Sequence, residues 1–149
     1  MNSRRRVNFE VRRGKQILLA CCRYLALAFA IGLGIGETVM NWGHWQYAPL
    51  WIVDYIIVGW LFWAFVKTRS GNNLHTLLSG WAFTSGVFYM ALFVGLDPVA
   101  AYHLETNMVL LTLISVMLAV SVIGFLCALL TVHAQRSAAA DAAGNGPRR

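Results

Sequence analysis

Long apolar runs alternate with short polar breaks along this chain. The runs cover 17–38, 50–66, 74–96 and 106–132, separated by breaks at 39–49, 67–73 and 97–105. A helix rises about 1.5 Å per residue and a hydrocarbon core is about 30 Å thick, so each run is long enough to cross, the second only just. Backbone N–H and C=O groups find no water in hydrocarbon, which predicts helices. Nothing resembles the alternating pattern of an outer-membrane barrel strand. Short links make sequential helices antiparallel neighbours. The expected fold is an all-α membrane protein, a four-transmembrane-helix up-down-up-down bundle over 17–132. A basic segment, 1–16, precedes it, and an Ala/Gly/Asn/Arg-rich tail, 133–149, is expected to be disordered. Asp97-Pro98 reads as an N-cap followed by proline at the first helical position.

Charge orients this pattern. All twelve Lys and Arg residues fall on one side of it: Arg4, Arg5, Arg6, Arg12, Arg13, Lys15 and Arg23 early, Lys67 and Arg69 in the second break, Arg136, Arg148 and Arg149 after the last run. Glu37, Asp54, Asp97 and Glu105 gather around the other two breaks, which contain no basic residue. Short loops rich in Lys and Arg stay cytoplasmic, so both termini are expected inside a bacterial-type inner membrane.

Composition agrees. The chain is 58% hydrophobic and 12% charged, against roughly 25% charged for soluble domains. The net charge of +6 would suit nucleic acid, but the cations hug the ends of apolar runs, so anionic lipid is the expected partner and no nucleic acid is. Ala28-Phe29-Ala30 matches a signal-peptide cleavage pattern and Ser3-Arg4-Arg5 begins like a twin-arginine signal. Arg23 interrupts that h-region and the apolar stretch continues past Ala30, so a retained helix is expected.

Candidate chemistry lies at the acidic end. Glu37 and Asn41 are four apart on one helical face, with His44 in the adjoining break and Asp54 about one turn inside the second run. His103 and Glu105 face them from the other break. These are suitable N and O ligands for a divalent metal, but the spacing matches no defined motif. The plainer reading is that this side tolerates acids and that helix N-termini favour them. Glu37 and Asp54 are the strongest candidates, because a carboxylate within an apolar run is expensive unless partnered. Asn41, His44 or Trp45 would offset that cost by hydrogen bonding, and such a network would also lock the first helix to the second.

Other features read as structural. Arg23 is expected to snorkel toward the head groups. Trp42, Trp45, Tyr47 and Trp51 at one end, with Trp60, Trp63 and Trp81 toward the other, suggest aromatic belts, though Trp42-Gly43-His44-Trp45 is dense enough for a cap over the bundle mouth. Gly32 and Gly36 form a GxxxG, and Ala82/Gly86, Ser115/Ala119 and Gly124/Ala128 repeat the small-xxx-small spacing of close helix packing. Whether these faces pack within the chain or against another one is left open. Cys21, Cys22 and Cys127 show no CxxC spacing, and the four histidines do not match helically for haem.

No Lys, Arg, Asp, Glu or His occupies the middle of any run; the polar groups there are Thr84, Ser85, Thr112, Ser115 and Ser121. Ion-coupled transporters usually need an ionisable group at depth. The leading reading is therefore a non-enzymatic accessory or assembly subunit that packs against a membrane-protein partner or a second copy, with no cofactor. The alternative is a small transporter or membrane enzyme with a metal or small-molecule site at the mouth, formed by Glu37, His44, Asp54 and His103.

Overall fold

The structure, a computed structural model, describes residues 3–43, 48–70, 73–97, 99 and 108–144. Four long helices account for nearly all of them, and no strand occurs among the described residues. They are α1 (Ser3–Asn41), α2 (Ala48–Lys67), α3 (Leu74–Leu96) and α4 (Met108–Gly144), with a 3-10 turn at Thr68–Ser70.

Local chemistry sets their ends. Gly43 has φ +86° and turns the chain out of α1 in a conformation glycine takes without strain. Pro49 sits in the first turn of α2, where its missing N–H costs nothing. Lys67 ends that helix with a cation beside the negative end of the dipole. Asn73, left-handed at φ 83°, starts α3, and its carbonyl accepts from Thr76 N–H at 3.0 Å. Asp97 closes α3 by donating its N–H to the carbonyls of Phe93 and Val94. Its side chain accepts from Val99 N–H at 2.9 Å, and the residues that the Asp97-Pro98 pair is expected to cap lie largely outside the described ones.

α3 coincides with the third apolar run, and α2 exceeds the second by two residues at one end and one at the other. The outer helices depart further. α1 begins at Ser3 instead of about 17, because the basic segment contains good helix formers and simply continues the span. α4 runs on to Gly144 through the stretch expected to be disordered. Ala138, Ala139, Ala140, Ala142 and Ala143 supply the highest helix propensity of any residue there.

The helices pack in a ring, α1 on α2, α2 on α3, α3 on α4 and α4 back on α1. α1 and α2 are antiparallel, since Tyr24 packs against Phe65 at one end and Thr38 meets Tyr55 at the other. Phe29 of α1 crosses the centre to meet Trp81 and Phe88 of α3 edge-on, at 5.4 and 5.8 Å between centroids. Around it lie Cys22, Ala26, Ala30 and Leu33 of α1, Ile57, Leu61 and Ala64 of α2, Leu77 of α3 and Ala128 of α4. Trp81 is fully buried, so it belongs to the core and not to an aromatic belt.

One contact locks α3 to α4. A Cβ added at Gly124 would lie 2.5 Å from the Trp81 indole, so the ring rests directly on the α4 backbone. The Cys22 thiol donates to the Gly124 carbonyl at 3.6 Å, tying α1 into the same contact. Trp81 Nε1 is buried with no well-aligned acceptor among the described residues, and the Cys22 sulfur beside it is at best a weak one.

Gln16–Met40, Leu74–Leu96 and Met108–Ser137 are each long and apolar enough to cross a membrane. At most 28% of any of these stretches is buried inside the bundle. Ile31, Ile35, Tyr89, Phe93, Leu126 and Leu130 all point outward. So large an apolar exterior is incompatible with water but is the ordinary surface of a protein dissolved in lipid.

Candidate polar clasp at the acidic end

The last turns of α1 and the first turns of α2 form a ladder. Gly34 packs beside Val58, where a Cβ would make ordinary van der Waals contact at 3.6 Å. One turn further on, the side chains of Glu37 and Asp54 come close enough to interact. Next to them the Thr38 hydroxyl and the Tyr55 phenol are 2.7 Å apart. Thr38 Oγ1 also lies 2.7 Å from its own helix carbonyl at Gly34, to which it donates, which leaves the phenol to donate across the helices. Trp51 braces the Tyr55 ring edge-on at 5.9 Å.

The acid pair has definite chemistry. Two neighbouring carboxyls in a partly buried setting interact strongly with one another. Both are half-buried, which removes much of the water that would otherwise solvate them. Two carboxyls supply part of a hard-cation site, yet no three His, Cys, Asp or Glu side chains converge among the described residues.

Of the six residues that the sequence nominates here, the structure brings Glu37 and Asp54 together. His44, His103 and Glu105 lie outside the described residues, as do Trp45, Tyr47 and the side chain of Asn41. Sequence reasoning missed the Thr38–Tyr55 pair. Its signal was present, since each residue directly follows one of the two favoured acids.

The hydroxyls within the spans do not line a polar path. Thr84 donates to Gly80, Ser85 to Trp81, Thr112 to Met108, Ser115 to Leu111 and Ser121 to Leu118, all within 2.9 Å and all inside their own helices. An open groove of about 480 Å³ at this end is lined by Met108, Val109, Thr112, Leu113 and Val116, one face of a single helix and almost wholly apolar.

The nominated packing glycines divide into two groups. Gly124 is occupied within the chain, whereas Gly32, Gly36 and Gly86 have nothing within 4 Å of where a Cβ would stand. The GxxxG of α1 therefore faces outward. Cys21, Cys22 and Cys127 are free thiols, and His75 and His133 are exposed near the basic end. The chain matches no protein family, no curated protein and no solved structure.

Proposed function

We propose that this protein is a four-span inner-membrane protein with both termini cytoplasmic, acting as a non-enzymatic accessory or assembly subunit. α2 serves as the fourth span: its 20 residues reach about 30 Å and carry one acid, which is held by Glu37. The segregation of Lys and Arg supports the orientation.

The observation that carries the reading is the outward GxxxG of α1. Glycine is a costly choice on a lipid-facing helix, because it packs poorly and lowers helix propensity. At Gly32 and Gly36 it provides a shallow trough where a foreign helix backbone can approach closely. The partner is another membrane protein or a second copy of this chain. Gly32→Leu with Gly36→Leu tests this by mild-detergent affinity purification. The fold should survive, since both positions are open, while the co-purifying chain or the oligomer is lost. A partner retained by the variant, or a wild-type protein that purifies alone as a monomer, overturns the reading.

A second reading rests on the neighbouring acids. Glu37 and Asp54 would then be part of a metal or small-molecule site in a small transporter or membrane enzyme, completed by His44 and His103. Glu37→Gln with Asp54→Asn separates the two readings. Loss of bound metal or substrate at unchanged abundance favours the site. Loss of stability or of partner recovery favours the clasp as a structural lock for the subunit.

A further inference from the structure

Arg23 lies a turn and a half inside the first apolar run, on the face of α1 that meets α2. Its guanidinium stands over the Phe65 ring at 5.2 Å from the centroid. Nε is buried and has no acceptor among the described residues. No carboxylate of the described chain is near its level. Glu10 and Glu37 are each about 20 Å away along α1, and Asp54 is roughly 16 Å from Phe65 along α2. A cation at this depth is stable only when paired or hydrated. Among the described residues the charge is positioned but has no counter-ion.

The surroundings indicate what does. Helical side chains lean toward their own N-terminus, so Arg23 points from its Cα toward the basic end. Tyr24, 63% exposed, packs against Phe65 at 5.9 Å and brings a phenol donor to the same groove. Arg69, four residues on from Phe65, and Gln16, two turns before Arg23, are exposed on the same faces. We infer that the α1–α2 groove around Arg23, Tyr24 and Phe65 is a fixed binding site for the phosphodiester of an anionic phospholipid. The guanidinium fork donates to the phosphate, as its planar geometry favours. Phe65 fixes the fork from behind, and the acyl chains run up the apolar furrow between the helices. The basic rim disfavours a zwitterionic head group, whose ammonium it repels.

This inference requires α1 to be a span, but it is independent of any protein partner. Its test therefore stands or falls separately from the GxxxG experiment. Purified full-length protein in detergent is titrated with phosphatidylglycerol or phosphatidylcholine, and bound lipid is counted by native mass spectrometry. The wild type should retain one phosphatidylglycerol about tenfold more tightly than phosphatidylcholine, a preference that Arg23→Gln should abolish. Excess inorganic phosphate should not displace the lipid, because it lacks the chains that fill the furrow. Equal retention of the two lipids, or undiminished phosphatidylglycerol on R23Q, overturns the site. Displacement by inorganic phosphate overturns it too and assigns the groove to a free anion. If R23Q fails to fold, Arg23→Lys and Tyr24→Phe carry the test. Each should weaken phosphatidylglycerol binding several-fold, and unchanged binding in both overturns the proposal.

Discussion

The two ends of the bundle are built on different principles. Toward the basic end the helices interlock. Among the described residues, every fully buried position on α1 lies between Cys22 and Leu33, on α2 from Ile57 onward, on α3 no later than Phe88, and on α4 from Ser121 onward. Toward the acidic end no described side chain is fully buried, and the α1–α2 contact depends on polar pairs instead. Shape complementarity, of the kind seen where Trp81 rests on Gly124, tolerates no change in volume. A clasp of hydrogen bonds can open and re-form with little disturbance elsewhere. Buried packing carries the basic end, and exposed polar contacts carry the acidic one.

Substitutions can break or sharpen that contrast. The largest effect should come from Trp81→Ala, which empties the centre of the ring and should cost about 3–5 kcal/mol in reversible unfolding by SDS titration. Gly124→Ala should follow at about 1–3 kcal/mol, because the new methyl meets an indole with nowhere to move. Tyr55→Phe removes only the Thr38–Tyr55 hydrogen bond, and about 1 kcal/mol or less is expected in the same titration. Smallest of all, Gly86→Ala should stabilise slightly, by about 0.5 kcal/mol, since its site is open and alanine is the better helix former. A cost for Tyr55→Phe comparable with that for Trp81→Ala would erase the distinction between the ends.

Hydropathy exposed the helices well and their ends poorly. It marks where a helix leaves hydrocarbon, not where its hydrogen bonding stops, so Leu74–Leu96 agrees to the residue while α1 and α4 run on as helix beyond their apolar parts. The acids Glu37 and Asp54 stood out because a carboxylate in an apolar run demands a partner. Thr38 and Tyr55 did not, since a hydroxyl in such a run commonly satisfies itself on its own helix. Spacing identified four packing glycines but not their direction. Only the rotation of each helix, fixed by its neighbours, turns Gly124 inward and leaves Gly32 facing out.

The unbroken course of α1 has a mechanical corollary. One hydrogen-bonded rod joins Ser3 to Asn41, with no proline or hinge between the clasp and the basic extension. Tilting one end of such a helix relative to the other would break backbone hydrogen bonds, so the basic extension and the clasp share one axis.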